Sequence, residues 1–369
     1  MSILHDETQQ EIAAETARVL GARRDKARLL EVLDRCGEWD EGFWRTAVEQ
    51  GWTGLAVPED FDGLGLGLTE LGLVAQEAGR VISGAPFLTY GHGAVCALLA
   101  CGDEALQDAW LPRLAQGEVR AAIAFAEGTD PIPLCPQVEY RDGGLHGEKA
   151  GVAGALAADI AVVSASRDGT PVLVLADLNA AVSGQLERTA IHSIDNGRLF
   201  ANLGFHGLPA TVLAEGDAAR DLALEMQAQM AVLAAHEQTG GAEALMLAAR
   251  DYAVERKAFG QPIGAFQSVK HRIAELYGLV EIARANCIHA ASLQGQAGFL
   301  EAAACARLSA TEAYDTAARD AVQIHGGTGV TWEGALHLHT RRARSLAIEL
   351  GNGLFWEDVL VTGLTGVAA

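Results

Sequence analysis

Apolar residues recur at intervals of three and four positions in the first and last thirds of the chain. This period is typical of helices that bury one face. In the first third it runs through "EIAAETARVLGA" and "ELGLVAQEAGRVI", which are separated by the Pro/Gly-rich loop "PEDFDGLGLG". In the last third, one continuous apolar stripe contains Phe266, Val269, Ile273, Leu276 and Val280. The pattern therefore predicts helices at both ends of the chain.

The period changes in the middle of the chain. The short apolar runs "AAIAFA", "DIAVVSAS" and "PVLVLADL" predict buried strands, and "EYRDGGLHG" carries the turn signal of a hairpin. A second turn is predicted in "DNGRLFANLGF". We therefore expect an α+β fold with an N-terminal helical domain (residues 1–120), a middle β-domain (121–215) and a C-terminal helical bundle (216–369).

Composition and charge restrict the class of partner. Of the 369 residues, 50% are hydrophobic and 20% are charged, which is typical of a globular protein. The net charge of −21 disfavours nucleic acid and anionic membranes as partners, although a local basic pocket can still bind an anion. The start "MSILHDETQQEIAAETARVL" lacks the apolar core of a signal peptide, so we expect a cytoplasmic protein.

The six cysteines show no spacing that resembles a metal site, so no metal is expected. Most of them lie in Ala/Leu-rich runs, where a cysteine usually acts as a small buried apolar residue.

The segment "YAVERKAFGQPIGAFQSVKH" is the first candidate for chemistry. One helix is expected to end near Lys257 and the next to begin near Ala265, which gathers Arg256, Phe259 and Gln267 at a corner. An arginine at a helix C-terminus can simply interact with the negative end of the helix dipole. The same set also fits a phosphate clamp made of a guanidinium, an aromatic ring and a helix N-terminus. Spacing alone leaves both interpretations open.

The segment "DAVQIHGGTGVTWEG" is the second candidate. A predicted helix ends in Gln-Ile-His and then meets Gly326, Gly327 and Gly329. A helix C-cap needs only one glycine. Three glycines also permit positive φ and the close approach of a phosphate or another backbone.

Together these segments resemble the acyl-CoA dehydrogenase family. "ERKAFGQPIGAFQSVKHRIAEL" is similar to the family's Arg-x-x-Phe-Gly-x-Pro-Ile-x-x-Phe-Gln segment, and the glycine-rich run resembles its Gln-x-His-Gly-Gly-x-Gly segment. "LAVPEDFDGLGLGLTELGLVAQEAGR" resembles its Pro-Glu-x-x-Gly-Gly-x-Gly loop, and "LPRLAQGEVRAAIAFAE" the entry to its β-domain. The resemblance spans nearly the whole chain and implies that family's helical, β and four-helix-bundle architecture.

The resemblance implies FAD as cofactor and an acyl-CoA thioester as substrate. A carboxylate would remove the α-proton while the β-hydrogen leaves as hydride to the flavin. The implied FAD-binding residues are Gln323, Gly326, Gly327 and, reaching the pyrophosphate and adenosine from a neighbouring subunit, Arg256, Phe259 and Gln267. A shared cofactor implies a homodimer, a tetramer or a heterotetramer with a related subunit, and an electron acceptor such as an electron-transfer flavoprotein.

The chain departs from the family where the catalytic carboxylate is expected. The base usually precedes the glycine of an Ile-Tyr-Glu-Gly-Thr segment, and the matching run "IELGN" puts Leu350 there. Glu349 stands one residue earlier, which on a helix is a rotation of about 100°.

Some family members carry the base on an earlier helix, at the position that matches Met230. Glu237 lies two turns further along on roughly the same face, and His236 and Glu225 are the other titratable residues nearby. Glu237 is the candidate catalytic residue, and a buried structural role is the alternative.

The predicted β-domain departs from the family as well. "AEGTDPIP" keeps Glu127 but has Ala126 in place of the threonine that contacts the flavin in the family. "GVAGA" puts Gly151 where an aromatic ring commonly packs on the flavin. Backbone amides at 126 and 127 remain available. Gly151, Ala153 and Gly154 would leave room for a bulky thioester, such as a steroid-derived one.

Three functions follow from these observations. The first is a FAD-dependent acyl-CoA dehydrogenase that acts on a bulky thioester. The second is a non-catalytic subunit of a heteromeric acyl-CoA dehydrogenase, in which a related chain supplies the base. The third, a flavin-free scaffold with the same fold, leaves Arg256, Gln267, Gln323 and the glycines without a purpose.

Overall fold

The computed structural model describes residues 5–23, 26–82, 84 and 86–366. The first helices are α1 (Glu7–Ala22), α2 (Lys26–Asp34), α3 (Glu41–Glu49), α4 (Leu68–Arg80), α5 (Phe87–Cys101) and α6 (Glu104–Ala115). The strands that follow are β1 (Ala121–Ala124), β2 (Glu139–Arg141), β3 (Gly144–Val152), β4 (Ile160–Arg167), β5 (Thr170–Asp177), β6 (Leu186–Ala190) and β7 (Ala201–Glu215). The last part contains α7 (Asp217–Glu255), β8 (Lys257–Ala258), β9 (Gln261–Pro262), α8 (Gln267–Ser292), α9 (Phe299–His325), α10 (Leu336–Ile348) and α11 (Gly353–Thr365). The predicted α+β order of helices, strands and helices is confirmed, whereas the domain boundaries at 120 and 215 stay a prediction.

The strands close into a barrel. β4, β2, β3, β7 and β5 pair in a ring that returns to β4, while β1 adds in parallel to β4 and β6 adds antiparallel to β7. The predicted hairpin joins β2 to β3 through Asp142 and Gly143, whose φ values of 51° and 77° are those of a two-residue turn that follows the twist of the strands. The barrel interior is filled by apolar side chains that include Val163, Val174 and Leu203.

The helices follow the apolar pattern. At the start of α1, the Asp6 side chain accepts from the Gln9 amide at 2.8 Å, and the Gln9 side chain accepts from the Asp6 amide at 3.1 Å. This reciprocal capping box fixes the first turn. In α8 the predicted stripe is the inner face, on which Leu276 and Val280 are fully buried. None of the helices within the described residues is both long and apolar enough to cross a membrane.

The chain divides into two compact units. The first comprises residues 1–31, 68–83 and 231–369, and the second comprises residues 32–67 and 84–230. The first unit contains α1, α4, the C-terminal part of α7 and α8 to α11. The second contains α3, α5, α6 and the barrel.

The expectation that most cysteines are buried is wrong. All six are free thiols, but only Cys287 is fully buried, and Cys135 is exposed. Burial of a small residue in a helix depends on which face meets a neighbour, and an Ala/Leu-rich run does not specify that face.

Candidate functional site

A short hairpin follows α7 in the first compact unit. β8 and β9 pair through Lys257 with Pro262 and Ala258 with Gln261, and Phe259 and Gly260 form the two-residue turn between them. Both turn residues have positive φ, at 51° and 83°. The Ile263 amide donates to the Arg256 carbonyl at 2.8 Å and closes the base of this hairpin. The sequence predicted only a link here.

Phe259 is held at the tip of this hairpin in a conformation that aromatic residues rarely adopt. Its side chain is 96% exposed and touches Phe266 edge to face, with ring centroids 6.3 Å apart. Phe266 is also the N-cap of α8, and its side chain cannot accept a hydrogen bond from the first-turn amides. The corner therefore exposes an apolar ring beside a helix N-terminus that has no side-chain cap.

The three glycines after α9 differ in what would prevent a side chain at each position. Gly326 ends the helix with φ 59° and ψ −133°, a combination that only glycine adopts readily. Gly329 is buried, and a Cβ there would lie 2.6 Å from the Val322 carbonyl oxygen. Gly327 has neither constraint, since it is exposed and an added Cβ would meet nothing within 4 Å. The peptide at Gly327 is therefore open to an approaching molecule.

The hairpin corner and the glycine turn are joined by one ring contact. Tyr252, one turn before the end of α7, stacks on His325 with centroids 4.3 Å apart and an interplanar angle of 27°. The Thr328 hydroxyl lies 3.4 Å from the Tyr252 hydroxyl and donates to the His325 carbonyl at 2.8 Å. The Arg256 amide donates to the Tyr252 carbonyl at 2.8 Å. The structure thus brings the two sequence-predicted segments together in one chain.

The side chains predicted to bind the cofactor face solvent. Arg256, Gln267 and Gln323 are all exposed. Within the described residues, no carboxylate pairs with the Arg256 guanidinium. An ion pair between Arg272 and Asp320 ties the start of α8 to the end of α9. We name the exposed set Arg256, Phe259, Gln267, Gln323, Gly326 and Gly327 the turn–hairpin surface.

The position that matches the usual base is Leu350, and the carboxylate residue next to it, Glu349, is buried. Leu350 follows α10 with φ 60°, and its carbonyl accepts from the Trp356 indole at 3.0 Å. The buried Arg307 guanidinium donates to the carbonyl of Glu349 at 2.6 Å and also to that of Leu346. The carbonyls of Leu346, Glu349 and Leu350, at and just after the end of α10, are thus bonded by side chains, which holds this corner in place.

Glu237 lies in a buried ion pair. Its Oε1 atom accepts from the Arg342 guanidinium at 2.6 Å, and both side chains are less than a tenth exposed. This contact joins α7 to α10 within the first unit. The pairing gives Glu237 a structural role, and the catalytic role stays a prediction.

Met230, at the other base position, is fully buried, and its sulfur packs against Gly93 of α5. Beside it, His92 Nε2 lies 2.8 Å from the side-chain oxygen Oε1 of Gln229, and the side-chain Nε2 of Gln229 donates to the Glu225 carboxylate at 2.7 Å. Burial lowers the pKa of His92, so this imidazole is held neutral. On α7 in the first unit, burial lowers the pKa of His236 to about 4.

In the barrel, Glu127 is engaged by a buried lysine. Lys149 Nζ donates to Glu127 Oε1 at 2.6 Å, to the Phe125 carbonyl at 2.9 Å and to the Ser164 hydroxyl at 2.9 Å. Burial lowers the pKa of Lys149 to about 8, although the contact with Glu127 opposes the shift. The Glu127 amide donates to the Asp130 carbonyl at 3.0 Å, so of the two backbone amides expected to remain available, that of Glu127 is already used.

The small residues of "GVAGA" do not all leave space. A Cβ at Gly151 would meet nothing within 4 Å, and the Gly151 amide donates to the Asn202 side chain at 3.0 Å. Gly154 instead packs against Phe87, and a Cβ there would lie 3.1 Å from the ring. Ala153 is buried. The expectation of room is wrong for Gly154, because its neighbour fills that space.

Comparison with known proteins decides the family. The model of the acyl-CoA dehydrogenase N-terminal domain matches residues 6–118, and that of the C-terminal domain matches residues 220–353. The acyl-CoA dehydrogenase IpdE2 of Mycobacterium tuberculosis is 33% identical over 317 residues, which cover 84% of this chain and 82% of IpdE2. The chain belongs to the acyl-CoA dehydrogenase family.

Solved structures of acyl-CoA dehydrogenases share its fold. A variant of the Tcur3481–Tcur3483 steroid ACAD has a TM-score of 0.83 at 28% identity and covers 98% of each chain. The glutaryl-CoA dehydrogenase of Mycobacterium smegmatis in complex with FADH2 has a TM-score of 0.88 at 20% identity, with 99% of this chain and 96% of that chain covered. The ChsE4–ChsE5 complex of Mycobacterium tuberculosis has a TM-score of 0.87 at 24% identity and covers both chains fully.

Two residues of this family member were not singled out from the sequence. Tyr252 stands four positions before Arg256, so helical spacing alone places it one turn away on the same face. Lys149 stands four positions after Leu145 on β3, and both are fully buried. The register shifts between Leu145 and His146, and Gly147 is exposed, so strict alternation along β3 does not assign this lysine to the inward face.

Proposed function

We propose that this chain takes part in the FAD-dependent α,β-dehydrogenation of an acyl-CoA thioester. The observation that carries the proposal is the Tyr252–His325 stack, which holds the end of α7, next to Arg256, against the end of α9, next to the turn at Gly326 and Gly327. A guanidinium without a carboxylate partner and open peptides on glycines are groups that bind a diphosphate. Bound FAD supplies the acceptor for the hydride that leaves the β-carbon.

The residues of the turn–hairpin surface fit the ADP part of FAD. Arg256 supplies the cation that two phosphates need, and its planar fork can contact both. Gly327 lets the cofactor approach the peptide directly, while Gln323 offers an exposed amide. Phe259, held out at the hairpin tip, supplies a ring for the adenosine of a cofactor that a neighbouring subunit shares.

Fewer residues of this chain are suited to contact the flavin ring than to contact the ADP part. Ala126 has no hydroxyl to offer, and the space above Gly151 is open where relatives carry an aromatic ring. The Lys149–Glu127 pair fixes the segment that follows β1 and keeps the Ala126 peptide in place. We therefore expect this chain to contribute more contacts to the ADP part of FAD than to the flavin ring.

A second, more specific role is favoured by the missing base. Leu350 and Met230 stand at the two positions where relatives carry the carboxylate, and Glu237 is neutralised by Arg342. We infer that a related subunit supplies the base and that this chain is its non-catalytic partner in a heteromer. The names Tcur3481–Tcur3483 and ChsE4–ChsE5 support such pairing, because each joins two different chains.

The substrate that we propose is a bulky acyl-CoA, such as a steroid-derived one. The support is the steroid ACAD among the similar structures and the open space at Gly151. An electron-transfer flavoprotein is the proposed electron acceptor, since the reduced cofactor must pass its electrons on.

Two preparations test the dehydrogenation and the partner role. The chain is purified alone and after co-expression with a related dehydrogenase subunit. The heteromer is expected to be yellow, to show the mass of both chains, and to bleach when a steroid-derived acyl-CoA is added without oxygen. If the chain alone is yellow and turns over substrate as a homo-oligomer, the partner role is wrong and the dehydrogenation stands. Colourless protein in both preparations, even with added FAD, leaves only the flavin-free scaffold.

A further inference from the structure

The first compact unit contains a cavity whose lining includes none of the residues of the turn–hairpin surface. Its volume is about 380 Å³, and its walls come from α2, the end of α4, the C-terminal half of α7, the turn after α9 and the start of α10. A cavity of this size holds a small organic molecule.

Most of the cavity surface is apolar. Leu245 and Ala248 of α7 line one side, and Leu29 and Leu338 line others. The stacked rings of Tyr252 and His325 lie in the same wall. A flat or branched apolar body would lose its contact with water against these side chains.

The charge of the cavity is opposite to that of the chain. The chain has 48 acidic and 27 basic residues, yet none of the described residues that line the cavity is acidic. Arg80 is already neutralised, since its guanidinium lies 2.5 Å from Glu243 and 3.4 Å from Glu77. Lys26 is different, because its ammonium donates to the backbone carbonyl of Glu333 and pairs with no carboxylate of the described chain.

We propose that this cavity binds a small amphipathic carboxylate. Its apolar body lies against Leu245, Ala248 and the Tyr252 ring, and its carboxylate pairs with the Lys26 ammonium. A carboxylate that binds there makes a charge-assisted hydrogen bond with the Lys26 ammonium. The proposal does not depend on FAD or on dehydrogenation.

Titration calorimetry with 2-naphthoate and with the neutral 2-naphthamide tests the proposal. The full-length chain is expected to bind one naphthoate and to prefer it to the amide by about tenfold, as a charge-assisted hydrogen bond predicts. Lys26→Gln should weaken naphthoate by a similar factor and remove the preference, whereas Lys270→Gln, which changes an exposed lysine of α8, should alter neither. Ala248→Phe should abolish binding of both probes by filling the cavity.

Three results would overturn the proposal. These are the absence of naphthoate binding by the unaltered chain, an unchanged preference in Lys26→Gln, and binding by Ala248→Phe in a chain that melts like the parent. If Ala248→Phe does not fold, Lys26→Gln decides, because Lys26 is exposed and its replacement leaves the apolar packing intact.

Discussion

Tyr252 and His325 lie face to face, with ring centroids 4.3 Å apart, although 72 residues separate them along the chain. The stack fixes the end of α7 against the end of α9. It thereby fixes the backbone at Arg256 relative to the turn at Gly326 and Gly327. No backbone hydrogen bond joins these two described segments.

Loss of this stack should weaken FAD binding without unfolding the chain. An aromatic pair contributes about 0.5–1.5 kcal/mol, so Tyr252→Leu should raise the Kd for FAD roughly two- to twelvefold. Quenching of flavin fluorescence measures the Kd. Tyr277→Leu, at an exposed position on α8, is the matched control and should leave the Kd unchanged. Equal Kd values for the two variants would show that the stack does not organise the site.

Alanine variants of the three glycines after α9 should distinguish positions that affect stability from the position that affects FAD binding. Gly326→Ala is strained by its backbone angles and Gly329→Ala by the Val322 carbonyl, so each should lower the free energy of unfolding by about 1–3 kcal/mol. Gly327→Ala meets open space and should leave stability unchanged, yet it should weaken FAD because its methyl group faces the ligand. Urea unfolding and FAD titration of the three variants measure the two effects. A Gly327→Ala chain that binds FAD normally would contradict the direct approach of the cofactor to this peptide.

The Glu237–Arg342 pair should control stability. Glu237→Gln removes the carboxylate that faces a buried guanidinium, and the expected loss is about 3–5 kcal/mol in the free energy of unfolding. The double variant Glu237→Leu with Arg342→Met should recover most of it, since neither charge remains buried. If Glu237 is instead the base, Glu237→Gln would keep its stability and lose turnover in a chain that is active alone.

Lys149 should make stability depend on pH. Its pKa is lowered from 10.5 to about 8 in the folded chain, so between these values the unfolded chain binds the extra proton. The free energy of unfolding therefore rises with pH between about 8 and 10.5, and below that window the charged lysine costs the fold its full burial penalty. Lys149→Met removes this contribution, so the stability of the parent relative to the variant should rise from pH 8 to pH 10. A difference that is constant over this range would show that the lysine titrates normally.

The fold could be predicted from the sequence where the pattern is local. The short apolar runs marked the buried strands, the Asp142–Gly143 pair marked the hairpin, and the stripe through Leu276 and Val280 marked the inner face of α8. Each of these features depends on residues a few positions apart, so the local sequence is enough to indicate it.

The site could be predicted only in part, because its decisive contacts are distant in the sequence. Arg342 stands 105 residues after Glu237, and no local pattern indicates their pairing. The helical face shared by Met230 and Glu237 was visible, but the guanidinium that neutralises Glu237 was not. The meeting of Tyr252 with His325 likewise depends on how α7 and α9 pack.

The most direct test of the central claim compares the FAD affinity of two arginine variants in the assembly that purifies with bound flavin. Arg256 has no carboxylate partner in the described chain, whereas Arg250, which is exposed on α7, pairs with Asp251. Loss of a charge-assisted contact to phosphate should make Arg256→Gln bind FAD about tenfold or more weakly than the parent, with Arg250→Gln unchanged. An Arg256→Gln assembly that binds FAD as tightly as the parent would contradict the claim that the turn–hairpin surface holds the dinucleotide.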